Sequence, residues 1–476
     1  MQAMPDGPDA PLDRDAEELR RLGYAQQLLR DMGGFANFAL SFSIISILTG
    51  AITLYGYGLK MGGPMEMALG WPLVSLLTLP VAASLAQLAS SYPTAGALYH
   101  WASILGGRGA GFFTAWLNCI GQFAITAGID YGLAEFLAAM LDMPTDRIHV
   151  LRVYALVLLS HAILNHLGVR LVGRLNQLSA WVHIAGVVAI VLGIAFFAPL
   201  RSPDFLFTRF TDGPRPYAAG FLLGLLQAAW TFTGYDASAH LCEETHDPTR
   251  NAPWGIFLSV AVSAVFGWAL LVAVTLAIGD LPAAAAADNP FLHVLRSSLG
   301  ARLGGALVGV AMLAMWFCGL SSVTSNSRML FAFARDGGLP FSEYVSRVSP
   351  RFRSPHVAVW VSAAAALAVA LWTPAYSGMV ALSTIALYAS YGVPIALGHR
   401  ARKSGLWTRR GPWDLGGASA AVNGIALGWI AILTVLFVLP PNELAGFTFA
   451  GLLALLALYW HFGRKADFRG PPRIEP

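Results

Sequence analysis

Charged side chains are scarce in this 476-residue chain. Asp, Glu, Lys and Arg make up 12% of it, where a soluble domain carries about 25%. That shortage argues against a water-exposed globular protein. Cysteine is scarcer still. Cys119, Cys242 and Cys318 all fall within or at the ends of apolar runs and show no paired spacing. Neither a disulfide framework nor a zinc site is expected, and the three read as small apolar residues in helices. The chain also lacks a phosphate loop, a dinucleotide fingerprint or a nucleophile elbow in a fitting context, so no enzyme activity, cofactor or metal is expected. Its first 31 residues bring Asp6, Asp9, Asp13, Asp15, Glu17 and Glu18 before any apolar run. A cleaved signal peptide needs a basic start and a short apolar core, so none is indicated.

What is abundant is apolar surface: 56% of residues are hydrophobic, and the mean hydropathy is +0.60. Runs near 20 residues recur along the whole chain, each long enough to cross a hydrocarbon core of about 30 Å. Twelve are expected, near 36–57, 68–91, 112–139, 150–168, 174–198, 218–241, 254–279, 303–333, 356–373, 378–398, 416–439 and 443–462. The fold class is therefore all-α integral membrane. Twelve spans put both ends on one side. Of the 30 basic residues, 22 fall on the side of the termini and 8 on the other, a bias that makes the termini cytoplasmic in a cell membrane. The sequence pI of about 9.0 follows from that bias and does not point to nucleic acid. Residues 15–30 are expected to form a short polar helix on the cytoplasmic side.

Two of the expected spans are interrupted. The sixth contains Trp230-Thr-Phe-Thr-Gly-Tyr-Asp236-Ala-Ser-Ala-His240, which sets a carboxylate at bilayer depth, where a charge costs roughly 2.5–3.5 kcal/mol. Thr231, Thr233 and Gly234 are poor helix-interior residues and favour unwinding. Unwound backbone survives in a membrane only where protein or a water-filled cavity satisfies it. In the first span Ser43, Ser46 and Gly50 lie at i, i+3 and i+7, a small and polar stripe that reads either as a packing face or as a second break. Paired breaks in corresponding positions are the best sequence pointer to a transporter site. Half-helix N-termini favour an anionic group and freed carbonyls a cationic one, and an amino acid carries both. The expected substrate contacts are Ser46, Ile47, Leu48, Thr49, Gly50, Gln122, Trp230, Thr231, Phe232, Thr233, Gly234 and Asp236.

Other polar residues divide between function and plain packing. Asn118 and Gln122 either reach the cavity or bond another helix, and Asp130 is placed toward an entry path. His183 is the side chain in the fifth span most able to exchange a proton near neutral pH, so it is the coupling candidate. Ser322 and Ser325 share a face of the eighth span, where hydroxyls suit either a hard cation such as sodium or a proton-carrying partner. Glu243 and Glu244 read as a salt-bridged inner gate or as a solvated helix end. Asp236, His240 and Glu243 hold one histidine at mixed depth, which makes a metal site improbable.

With these residues in view, the chain resembles the amino acid–polyamine–organocation superfamily, within it the amino acid/choline branch that includes GABA and choline permeases. The matching stretches are Ser41-Phe-Ser-Ile-Ile-Ser-Ile-Leu-Thr-Gly50, Leu88-Ala-Ser-Ser-Tyr-Pro-Thr-Ala-Gly96 with Tyr99 and Trp101, Gly234-Tyr-Asp-Ala-Ser-Ala-His240 with Glu243-Glu-Thr245, and Phe331-Ala-Phe-Ala-Arg-Asp-Gly337. The resemblance implies a cytoplasmic segment at 1–33, a first inverted repeat at 34–200, a second at 215–400, two extra spans at 412–463 and a tail at 464–476. It also implies alternating access, with the substrate carboxylate at Ser46–Gly50, its amine at Thr231–Asp236, and Trp230 or Phe232 as a lid. His183 falls where some relatives carry a lysine that replaces a sodium ion, whereas Gln87 departs from a glutamate common in them. The expected function is a proton-coupled permease for an amino acid or GABA-like zwitterion. Choline, ethanolamine or polyamine uptake, or amino acid exchange, is the alternative. A channel would need polar residues repeated through several spans, and a membrane enzyme a nucleophile–base pair.

Overall fold

The computed structural model describes residues 10–373 and 376–472; Asp6, Asp9 and Arg473 lie outside the described residues. Among the described residues all regular structure is helical, and the one extended pairing is an isolated bridge between Met32 and Thr245. Among the described residues ten helices are long and apolar enough to cross a membrane, and two shorter apolar ones, Tyr217–Thr231 and His356–Trp372, stand at the sixth and ninth expected positions. The first span begins at Gly34 and continues past Thr53 to a kink at Gly63, beyond which the chain runs into a second span ending at Ser91. The eighth, Pro290–Arg335, starts earlier than expected because a short helix is merged with it across Gly300.

Burial sorts the spans into an inner and an outer set. The first (Gly34–Thr53) is 89% buried and the third (Arg108–Met140) 78%, while the eleventh (Gly416–Leu436) and twelfth (Glu443–Arg464) are 33% and 17% buried. Outer spans show large apolar side chains such as Leu156, Trp181, Phe196, Val265, Ile432 and Phe447, as lipid-facing helices do. In the inner set, helices approach closely where one side presents no side chain. A Cβ on Gly121 would come within 2.6 Å of Leu387 in the tenth span (Tyr376–Lys403), and one on Gly50 within 2.7 Å of Thr231 Cβ. The third span packs on the tenth, and the eighth on the third and on the fifth (Val169–Phe197).

The N-terminal helix covers Ala10–Arg21, shorter than the expected 15–30 at its far end. Gly23 stops it at φ 81°, in the left-handed region that a C-terminal cap uses, with its N–H bonded to Arg20 and that of Tyr24 to Leu19. The chain then runs extended across the end of the bundle. This end is called the N-terminal face below.

At the kink that joins the first and second spans, Glu66 is fully buried and neither carboxyl oxygen has a hydrogen-bond partner. Its side chain is enclosed by glycines: a Cβ would lie 2.7 Å from it at Gly58, 2.5 Å at Gly62 and at Gly70, and 2.8 Å at Gly224. A carboxylate without donors in such a place would cost several kcal/mol, a penalty that a neutral side chain of the same shape avoids. Glu66→Gln should therefore keep the thermal unfolding midpoint of the purified protein within about 2 °C, and Glu66→Lys should lower it by roughly 5 °C or more. A glutamine variant as unstable as the lysine one would show that the native group is charged.

Candidate functional site

The first span breaks at Ser46, which takes a left-handed conformation (φ 34°, ψ 86°) between helices Gly34–Ile45 and Ile47–Thr53. A non-glycine residue there stores on the order of 1–3 kcal/mol of strain, which the surroundings must offset. Its hydroxyl lies 2.5 Å from Thr49 Oγ1 and 2.6 Å from His183 Nε2. His183 Nδ1 is 2.8 Å from the Ser179 carbonyl, which can only accept. That nitrogen therefore carries the proton, Nε2 receives the Ser46 hydroxyl, and a neutral ring satisfies both bonds. Ser43 bonds Ser179 at 2.6 Å, so the serine stripe faces the fifth span, while Gly50 faces Thr231. Cys318 Sγ donates to the Ile44 carbonyl at 3.3 Å.

The sixth span is helical over Tyr217–Gly224 and Leu226–Thr231, opens through residues 232–236, and resumes at Ala237–His240. Gly234 sits at φ 82°, and a Cβ there would strike Ile44 of the first span. The freed backbone is met by neighbouring spans. Tyr388 donates to the Phe232 carbonyl at 2.9 Å, the Gly234 N–H donates to Tyr391 Oη at 3.0 Å, and Ser41 donates to the Tyr235 carbonyl at 2.9 Å. Asp236 is fully engaged by protein: Tyr391 donates to Oδ1 at 2.8 Å, Asn118 Nδ2 to Oδ2 at 3.0 Å, and His240 Nε2 lies 3.1 Å from Oδ2.

Between the breaks lies a narrow cavity of about 10 Å³, lined by Ile44, Ile45, Thr49, Gly50, Ile125, Ile129, Trp230, Thr231 and Cys318. Four of the expected contacts, Thr49, Gly50, Trp230 and Thr231, line it. The others are buried around it: Ser46 on His183, Ile47 and Leu48 in the apolar core, Gln122 donating to Ser325 at 3.3 Å, Phe232 against Trp71 at 4.8 Å, and Thr233 bonded to the Trp230 carbonyl. Gly234 and Asp236 belong to the network with the tenth span. Ser322 bonds Thr126 of the third span at 2.7 Å, so Ser322 and Ser325 both face that span and not the first-span carbonyls. Asp130 does not line an entry path. It is fully buried against His161, with 3.1 Å between Oδ2 and Nδ1, because the absence of a side chain at Gly319 leaves room for both. Gln87 is tied to Asp414 and Ser419 at the start of the eleventh span.

The cavity is closed on both sides. Toward the face opposite the N terminus, Trp230 donates to Ser383 at 3.0 Å and meets the Tyr376 ring edge-on at 6.3 Å. Toward the N-terminal face, Glu243 pairs with Arg335 through two bonds of 2.8 and 2.9 Å, and Glu244 with Arg328 at 3.0 Å, with both carboxylates and Arg328 fully shielded from solvent. The extended N-terminal segment lies over these pairs. Asp31 and Met32 donate to the Glu244 carbonyl at 3.1 and 2.9 Å, and Arg30 bonds the carbonyls of Cys242 and Thr245. Arg335 stacks on Tyr24 at 3.9 Å, and Tyr24, Tyr99 and His100 converge on Asp336 Oδ2. Burial pushes the Asp336 carboxyl up, but the His100 bond, the Arg335 charge and Tyr24 together hold it below its ordinary value.

Known sequences place this architecture. The family described as amino acid permease matches residues 32–460, nearly the whole chain. The chain belongs to the amino acid permease family. Amino-acid permease BAT1 of Arabidopsis thaliana is 37% identical over 97% of this chain and 96% of its own length, and a homolog in Oryza sativa subsp. japonica is 36% identical over 96% of each. A GABA-specific permease of Saccharomyces cerevisiae is 26% identical over 96% of this chain and 86% of its own. The protein is thus an integral membrane permease.

The two buried ion pairs at the N-terminal face differ from surface pairs, because removing one partner strands a buried charge at a cost of about 3–5 kcal/mol. Glu244→Gln should lower the unfolding midpoint by several degrees, roughly 5 °C or more, and combining it with Arg328→Met should recover most of the loss. Additive losses in the double variant, read by thermal unfolding, would show that the two side chains are not coupled.

Proposed function

We propose that this permease is a secondary active transporter that moves an amino acid or GABA-like zwitterion across the cell membrane by alternating access, with both termini cytoplasmic. The observation that carries this reading is the closed cavity between two broken helices, the first span of each run of five. Those runs, 34–200 and 215–400, are read as inverted repeats around the cavity, followed by the two extra spans at 412–463 and flanked by the segment at 1–33 and the tail at 464–476. The helix starting at Ile47 offers its N-terminal end to a carboxylate, and the helix ending at Thr231 offers its C-terminal end to an amine. Trp230 is the lid on the outer side, and the Glu243–Arg335 and Glu244–Arg328 pairs close the inner side.

The lining supports a zwitterion over the bare-amine alternatives choline, ethanolamine or a polyamine. No carboxylate faces the cavity, and the nearest acid at the sixth-span break, Asp236, already accepts from Tyr391 and Asn118. An amine without its own carboxylate would enter without a counter-charge. The GABA-specific relative in yeast supports the same class of substrate. Coupling to a proton is preferred over sodium, because the eighth-span hydroxyls are spent on the third span and the thiol of Cys318 meets the Ile44 carbonyl. Sodium favours a cluster of hard oxygens. His183, fixed to the first-span break through Ser46, is the group proposed to exchange the proton as the break rearranges.

Reconstitution tests this reading. Radiolabelled GABA, alanine, arginine and choline would be offered to proteoliposomes in sodium-free buffer, with and without an inward proton gradient. Gradient-stimulated uptake and counterflow of GABA or alanine, with choline not competing, are expected. Thr231→Leu, which fills the cavity, should cut that uptake by roughly tenfold or more. His183→Gln should keep counterflow and lose the response to the gradient. Sodium-dependent uptake indifferent to His183→Ala would remove the coupling proposal, and choline competing as well as alanine would remove the zwitterion.

A further inference from the structure

His240 has hydrogen-bonding demands that a neutral ring facing an ionised Asp236 cannot meet. Nδ1 lies 3.0 Å from the Ala95 carbonyl, so that nitrogen must carry a hydrogen. Nε2 lies 3.1 Å from Asp236 Oδ2. A neutral ring protonated at Nδ1 presents a lone pair at Nε2, and a carboxylate oxygen presents another, so the two would repel. The other bonds of Asp236 do not resolve the conflict. Tyr391 Oη receives the Gly234 N–H, so its own hydrogen must go to Oδ1, and Asn118 can only donate to Oδ2 through Nδ2. The short distance requires one hydrogen between Nε2 and Oδ2, as imidazolium with carboxylate or as neutral imidazole with carboxylic acid. Two other buried histidines, His183 and His161, make no such demand. A neutral ring satisfies both partners of His183, and His161 meets Asp130 through Nδ1 while its Nε2 has no partner.

We propose that the Asp236–His240 pair is a proton-binding site whose single proton ties the sixth-span break to the Tyr92–Ala97 turn at the N-terminal face. The turn is irregular, fully buried, and includes Ala97 at φ 40°. The Ala95 peptide is gripped from both ends by the sixth span. Its carbonyl takes His240, and its N–H donates to Glu243 Oε1 at 3.3 Å, the carboxylate that pairs with Arg335. If the proton leaves for the N-terminal side, a neutral ring and a carboxylate remain. The ring can then keep its hydrogen on Nδ1 and lose Asp236, or move it to Nε2 and lose Ala95. One link of the chain from break to gate breaks in either case, so proton occupancy and closure of that face are coupled.

His100 reaches the turn, with Nδ1 2.6 Å from Thr94 Oγ1, and other elements face the pair. From the tenth span Tyr391 faces it, with Tyr388 beside, and Tyr235 lies on its own element. The third span contributes Asn118, the first-span helix Gly34–Ile45 holds no titratable residue, and the seventh span, Pro248–Leu276, holds only the exposed Arg250. From the eighth span Arg328 and Arg335 are committed to Glu244 and Glu243. The inference deepens the transport reading, because it assumes that the N-terminal face opens.

The test needs no substrate. Amide exchange of residues 92–97 would be followed by mass spectrometry on the full-length protein in lipid nanodiscs from pH 5 to 8, corrected for the intrinsic pH dependence of exchange. Wild type should lose protection with rising pH in one transition, by up to about tenfold per pH unit, as release of one proton requires. Asp236→Asn, whose amide can donate to a neutral His240, should stay protected and flat across the range. His240→Gln should also be flat, and His100→Gln, which alters the neighbouring Asp336 cluster, should keep the transition. A flat wild type would overturn the proposal, as would a transition that survives in both Asp236→Asn and His240→Gln or vanishes only in His100→Gln. Counterflow of GABA and alanine by the same purified proteins in proteoliposomes separates the two readings. If counterflow is absent while the transition persists, the transport reading falls and the proton site stands.

Discussion

Backbone N–H and C=O groups at bilayer depth have no water to turn to, so any helix that opens there must be met by partners from the protein itself. Both interruptions in this chain obey that constraint, and much of the inner bundle follows from it. Tyr388, Tyr391 and Ser41 meet the open stretch of the sixth span, and Cys318 meets the Ile44 carbonyl beside the first. His183 holds the strained Ser46 through its hydroxyl. The tenth span earns its central place because its two tyrosines reach the break, and the third because Asn118 and Gln122 bond across to the sixth and eighth. The two gaps are thereby stable enough to exist inside the bundle.

The spans were legible because hydropathy acts one residue at a time over about 20 positions, and no tertiary contact can hide it. The breaks were legible too, since Gly234 beside Thr231 and Thr233 disfavours a helix whatever its neighbours. The cavity lining was legible only in part. Ile44, Ile45, Ile125 and Ile129 carry no chemical signal, although Ile125 and Ile129 share a helical face with Gln122, at i+3 and i+7, and that spacing was the available clue. Asp236 shows the limit from the other side. Its depth was evident from the sequence, but its engagement by Tyr391 and Asn118 depends on residues more than 100 positions away. Glu66 gives no signal in the sequence for a similar reason, since only the folded chain gathers Gly224 with Gly58, Gly62 and Gly70 around it.

The N-terminal face concentrates charge in a chain that has little. Glu243, Glu244, Arg328 and Arg335 are packed into one layer, and Asp336 gathers Tyr24, Tyr99 and His100 beside it. Taking such charges out of water is costly unless each finds its partner, so the layer is stable only when assembled, and any loosening admits water to all of it.

The strand-like segment that ends at Met32 belongs to this layer by contact but not by chain continuity, since the bridge to Thr245 joins positions more than 200 residues apart. Glu18 on the preceding helix is held by Arg409, beyond the tenth span, and Arg30 lies across the carbonyls that close the sixth. The segment therefore behaves as a tethered ligand of its own protein. It is present at high local concentration because it cannot diffuse away, and it weights the balance between shut and open toward whichever state it grips more tightly. In the proposed transport cycle, the sequence of this short polar stretch, far from the cavity, thus enters the energetics of each opening.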